Sequence, residues 1–166
     1  MQSHYNYVFD NITNTYNFTT KNNILYRVAF VVDETFSSIA GETIPNVFQI
    51  VVEKANDESE PLDIKVSRTI GNIIELFFIR IENSLIYVCY DLDKKAKIRQ
   101  DVFERWYKKS DKKDNIIKMN KVIEVAISNS EIQKLYTAFM FHKKNPNYKK
   151  LIDIYNRIEE VLNTEK

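Results

Sequence analysis

The sequence predicts an α+β fold in one domain: a single mixed β-sheet, with an N-terminal antiparallel meander followed by helix, strand, helix, strand, strand and helix. Three observations lead there. Aromatic and polar residues alternate through residues 5–19, the period of a half-buried strand. Apolar residues recur at 3–4 spacing over 62–81, the period of an amphipathic helix. The later apolar runs LIYVCY and LYTAFMF are separated by a second amphipathic segment, and a sheet layered with helices buries such a set most simply. With 166 residues and 44% apolar content the chain can bury a core, while 2 Gly and 3 Pro leave no material for a long linker.

In chain order, Tyr5, Tyr7 and Phe9 alternate with polar positions, as do Tyr16 and Phe18, and Asp10 to Asn14 supply turn formers between them. Lys21-Asn22-Asn23 makes a second turn. Residues 24–32 read as a longer strand with Ile24, Tyr26, Val28 and Phe30 on one face. Its other face, Leu25, Arg27, Ala29 and Val31, is nearly as apolar, which predicts cover on both sides. Residues 33–46 form a loop with Gly41 and Pro45, in which Phe36, Ile39 and Ala40 suit a short helical turn. Residues 46–53 make a fourth strand, and the polar segment 54–60 ending at Pro61 is a connection too short to divide domains.

The first long helix is predicted over 62–81, with Val66, Ile70, Ile73, Ile74, Phe77, Phe78 and Ile81 as its stripe. Gly71 inside it costs roughly 1 kcal/mol relative to Ala unless close packing against the sheet needs a bare position. Residues 85–90 read as a central strand. A second helix over 94–109 turns Ile98, Val102, Phe103, Trp106 and Tyr107 inward, with Asp91 or Asp93 as its cap. Strands over 116–125 and 135–141 follow, joined by a turn at Ser128-Asn129-Ser130. Asn145-Pro146-Asn147 leads into a final helix over 148–162, striped by Tyr148, Leu151, Tyr155, Ile158 and Leu162.

The chemistry-bearing residues are sparse. Cys89 is the single cysteine, so no internal disulfide forms, and its place in LIYVCY predicts a buried small hydrophobe. His4 and His142 lie far apart, with no metal-ligand spacing around either. No catalytic, metal or cofactor motif stands out. The N-terminus lacks a basic-then-apolar signal and no apolar run approaches a membrane span, which leads us to expect a cytoplasmic protein without membrane association.

Charge is balanced overall, at a formal +1, but not locally. Residues 94–113 hold nine Lys or Arg against three acids, and Lys143, Lys144, Lys149 and Lys150 add a smaller basic cluster. If the two clusters share a surface, phosphate groups of a nucleotide or nucleic acid are a fitting partner. Arg99 and Arg105, set among the inward-facing residues of the second helix, suit pairing with Asp91 or Asp93 at the end of the preceding strand, where ligands of α/β sheets tend to bind. Asp91, Asp93, Arg99, Arg105, Trp106 and Tyr107 are therefore the candidate binding residues.

Two resemblances bear on these residues. From the fourth strand onward the order strand, helix, strand, helix, strand, strand resembles the second half of the GNAT acyltransferase fold. That likeness implies a loop Gln/Arg-x-x-Gly-x-Gly/Ala at the start of the first long helix, cradling the pyrophosphate of acetyl-CoA. It also implies a tyrosine on the next helix that protonates the leaving thiolate. The nearest segment, Arg68-Thr69-Ile70-Gly71-Asn72-Ile73, lacks the second small residue and falls inside the helical periodicity. Tyr107 is the nearest equivalent of the tyrosine, and the family's Asn-x-x-Ala pattern is missing. The opening YNYVFDNITNTYNFTTKNNILYRVAF and the central LIYVCYDLDKKAKIRQDVFERWY look like an uncharacterised family of small Bacteroidetes proteins, which implies a bacterial origin and no activity.

The sequence thus favours a non-enzymatic domain that binds a protein partner or a second copy of itself, through an aromatic-rich hairpin at a sheet edge. A divergent acyl-CoA-dependent acyltransferase comes second and requires a cleft between strands 46–53 and 85–90. A phosphate or nucleic-acid binder using the 94–113 segment comes third.

Overall fold

A computed structural model describes residues 2–56, 62–91 and 94–164. Its centre is a seven-stranded mixed sheet in the order β1-β2-β3-β4-β5-β7-β6. Strands β1 (Val8–Asp10), β2 (Thr15–Thr19), β3 (Leu25–Val32) and β4 (Val47–Lys54) form the antiparallel meander. Its turns use Asn14, Asn23 and Asn46 at positive φ, a conformation asparagine tolerates better than most residues. Asp10 holds the first turn by accepting the Ile12 amide at 2.8 Å.

Between β3 and β4 the short helical turn is present as α1 (Thr35–Ala40), ended by Gly41 at φ 67°. Strand β5 (Ser84–Tyr90) lies parallel to β4 and antiparallel to β7 (Glu131–His142), and β6 (Ile116–Ser128) closes the far edge. The β6–β7 hairpin is longer than its hydrophobic alternation suggests, because its tip is polar and solvent-exposed.

Helices α2 (Ile64–Phe77) and α3 (Ala96–Lys109) lie on one face, and α1 with α4 (Tyr148–Thr164) on the other. Under α2 the core joins Phe18, Tyr26, Val28, Ile70, Ile73, Leu85 and Met140. Under α4 it joins Ile86, Phe139, Phe141, Leu151, Ile154 and Tyr155, with Phe36 of α1. Helix α2 stops at Phe77, earlier than residue 81, because the buried Asn83 donates its side-chain amide to the Phe77 carbonyl at 2.8 Å and turns the chain.

Three expectations need correction. The second face of β3 is not covered: Leu25 and Ala29 are half-buried, while Arg27 and Val31 are exposed. The helices opposite α2 sit over β5, β7 and β6, and their core takes in Val47 at the start of β4 but no residue of β3. Helix α3 is rotated from its expected stripe, burying Ala96 and Gln100, while Ile98 is 62% exposed. Gln100 suits the interior because its amide reaches the Thr137 carbonyl at 3.5 Å, and Ala96 is small enough to meet the sheet. Tyr148, first in the α4 stripe, is partly exposed, and Ile154 fills the core in its place.

Candidate functional site, a groove between two helices

Helices α2 and α3 leave between them an open groove of about 630 Å³, continuous with a smaller recess at the α3 C-terminus. Gly71, Glu75, Trp106 and Ser110 line both, so they form the centre of the site. Phe78, Phe103, Ile116 and Met140 give the recess an apolar floor. Arg68 of α2 and Arg105 and Lys109 of α3 stand along the walls, and Lys112 and Lys113 close one end.

Gly71 is not explained by close packing against the sheet. A Cβ placed there would meet nothing within 4 Å, so its missing side chain widens the groove instead. Trp106, the one tryptophan, packs edge-on against Phe103 with ring centroids 4.7 Å apart, and Phe103 stacks on Tyr87 at 4.2 Å. Ser110 donates to a Glu75 carboxylate oxygen at 2.8 Å and ties the two walls together.

The acids of the groove are partly spent. Asp63 caps α2 by accepting the Lys65 amide at 2.9 Å and also accepts the Tyr5 hydroxyl at 2.5 Å. Burial works against its charge, but these two bonds outweigh it and hold its carboxyl below the usual range. A carboxylate already occupies the place where a helix N-terminus would meet a phosphate.

Behind the groove, Lys118 of β6 has a side chain only 2% exposed. It pairs with Glu104 at 2.5 Å, bonds Asn120, and lies about 6 Å from the ring centroids of Tyr87 and Tyr107. The Lys118 hydrogen bond is the largest of the effects that hold the Glu104 carboxyl below its ordinary range. Tyr107 donates its hydroxyl to the Ile116 carbonyl at 2.8 Å.

Strands β4 and β5 pair over only three positions, Val47 with Ser84, Phe48 with Leu85 and Gln49 with Ile86. Both strands continue past the last pair. Beyond it Ile50 packs around Tyr87 and Cys89, and the buried Tyr87 hydroxyl has no hydrogen-bond partner.

Of the residues singled out from sequence, Arg105, Trp106 and Tyr107 come together at the groove. Asp91 and Arg99 belong to the other end of α3, where Asp91 accepts the Ala96 amide at 3.3 Å and so helps start the helix. Asp93 lies outside the described residues. Arg99 and Arg105 face solvent instead of the interior, a consequence of the rotation of α3. Sequence reasoning missed Glu75, Ser110 and Lys118, which only the tertiary fold brings near α3, and met Arg68 only in the segment compared with the acyltransferase loop. The isolated Gly71 was the available signal.

Fold and groove together define a mixed-sheet α+β architecture with a cleft between two helices. Residues 62–157, more than half of the chain, match a family of unknown function (DUF6169), and the chain belongs to that family. The match begins at the mouth of the groove and takes in both of its walls, leaving out the meander. No curated protein and no solved structure matches the chain.

Proposed function

We propose that the protein is a non-enzymatic binding domain and that its partner lies in the groove between α2 and α3. The observation that carries this reading is the wide, Trp106-centred groove, kept open by a glycine where an alanine would fit without contact. The groups nearest to it are committed to structure: Tyr107 to the Ile116 carbonyl, Asp63 to the α2 cap, Glu75 to Ser110.

Edge pairing is a weaker basis for partner binding or self-association. Strand β1 does lie at a sheet edge, but it is three residues long. On β6, the Lys143 amide bonds the Asn115 carbonyl, so the even-numbered residues from 116 direct their backbone groups outward. Tyr107 takes the carbonyl of Ile116, and Asn163 takes the Glu124 carbonyl at 2.9 Å and the Ala126 amide at 3.5 Å.

Gly71→Leu tests the groove, because its Cβ meets nothing within 4 Å and the rest of the side chain extends into a space that Gly71 lines. Trp106 fluorescence should respond to a ligand among oligonucleotides, acyl-CoA and charged peptides, and Gly71→Leu should weaken that ligand at least tenfold. A ligand that binds Gly71→Leu as tightly as the native chain places the site elsewhere.

Acyl transfer is favoured by one observation, the divergence of β4 and β5 after three pairs. Against it stand the Asp63 carboxylate at the α2 N-terminus and the engaged Tyr107 hydroxyl. Calorimetric titration with acetyl-CoA should give no binding heat, and micromolar binding would reinstate this reading.

A further inference from the structure

We infer that the groove takes a single-stranded nucleic acid, with its phosphates on a cationic track at the α3 C-terminus and a base against Trp106. The inference rests on the groove as the binding site and adds the class of partner. The Lys143 amide donates to the Asn115 carbonyl at 2.9 Å, which brings the 143–144 turn beside the turn that follows α3. Arg105, Lys109, Lys112, Lys113, Lys143 and Lys144 therefore form one series, running from the groove wall to the end of the sheet.

Among the described residues these six make no ion pair; Lys113 bonds only the Lys108 carbonyl, at 3.4 Å. By contrast Lys97, Lys108 and Lys150, also in the basic segments, pair with Asp101, Glu104 and Glu42. Within the two basic segments, the described cations that no ion pair engages thus include six where the groove ends, with Lys94 and Lys149 lying elsewhere. Hydroxyl bonds from Tyr5 and Ser110 do not cancel the carboxylate charges of Asp63 and Glu75, so with Asp111 these acids turn phosphates away from the α2 wall and confine the track to the α3 C-terminal end.

A cationic track beside a half-buried aromatic ring is the arrangement that binds unstacked bases with little sequence preference. A duplex keeps its bases stacked and cannot offer one to Trp106. An anionic membrane would favour an apolar ring standing proud of the surface, and Trp106 is recessed between two helices.

The test is fluorescence anisotropy with a labelled oligothymidylate of about 16 nucleotides, followed together with Trp106 emission. The association constant should fall about 100-fold or more between 50 and 200 mM salt, as six phosphate contacts on a single strand require. The surface double reversal Lys112→Glu with Lys143→Glu should weaken binding at least tenfold and flatten the log–log salt slope by about 1.4. Trp106 emission should be quenched, and Trp106→Phe should weaken binding several-fold.

An oligonucleotide that does not bind at 50 mM salt overturns the inference and leaves the groove to its own test with Gly71→Leu. Binding that the double reversal leaves unchanged overturns it as well. Binding lost in the double reversal but silent at Trp106 and indifferent to Gly71→Leu overturns both the base contact and the groove. Capture by phosphatidylserine vesicles without oligonucleotide binding replaces nucleic acid with a membrane surface.

Discussion

Two buried tyrosines, Tyr87 on β5 and Tyr155 on α4, predict opposite responses to loss of a hydroxyl. Tyr155 shares a 2.8 Å hydrogen bond with Thr137 and reaches the Met119 carbonyl at 3.4 Å, whereas the Tyr87 hydroxyl has no partner. Tyr155→Phe should destabilise the protein by about 1 kcal/mol, and Tyr87→Phe should be neutral or stabilising, because an unpaired buried polar group costs folding free energy. Chemical denaturation of the two variants checks the sign, and a clear loss in Tyr87→Phe would mean that its hydroxyl is bonded in solution. Burial pushes the Tyr155 phenol up to about 12 and moves Tyr87 in the same direction. In the unfolded chain both ionise near 10. Their contribution is therefore present below that pH and is lost as pH rises through the folded values, so stability should fall across about pH 10–12. Tyr155→Phe should show a shallower alkaline fall than the native chain. Gly71→Ala belongs to the same scale: with nothing near its Cβ, it should stabilise α2 by up to about 1 kcal/mol. A thermal midpoint that drops instead would mean the groove wall is packed in solution.

At the scale of elements, helix α3 shows how far hydrophobic spacing can be trusted. Its extent was legible within two residues, since Ala96–Lys109 differs from 94–109 only at the start. Its orientation was not. Counting apolar residues selects Ile98, but Gln100 is buried through a bond to a carbonyl of β7, which no spacing within the helix encodes. Rotation by that one choice turns Arg99 and Arg105 to solvent and aims Trp106 at α2. Ile98→Lys should therefore change stability by less than about 0.5 kcal/mol. Phe103→Ala, which removes a ring lying between Tyr87 and Trp106, should cost on the order of 2 kcal/mol because the ring is half-buried. Comparable losses in both variants would restore the stripe expected from sequence. For α2 the order is reversed: its stripe was legible, while its end depended on Asn83 folding back to Phe77, a contact set by where β5 begins.

The layering of the whole molecule governs what composition could not reveal about β3. Both faces of that strand are apolar in sequence, and the alternation alone predicts helices on both sides. The number of covering helices is fixed elsewhere. Helix α4 follows the last hairpin and packs on β5, β7 and β6, and α1 packs against α4, so their core takes in Val47 at the start of β4 but nothing of β3. Strand order was equally hidden, because pairing β7 between β5 and β6 depends on the return of the long hairpin, not on any residue type. The asymmetry is testable within one strand. Val28 is fully buried under α2 and Val31, on the opposite face, is 50% exposed. Thr matches Val in shape and in strand propensity, so the replacement isolates the burial of a hydroxyl. Val28→Thr should cost about 2 kcal/mol and Val31→Thr less than about 0.5 kcal/mol. If Val31→Thr costs as much as Val28→Thr, something covers that face in solution. Repeating the measurement over a tenfold range of protein concentration then separates the causes, because cover by a second copy makes stability rise with concentration while cover within the chain does not.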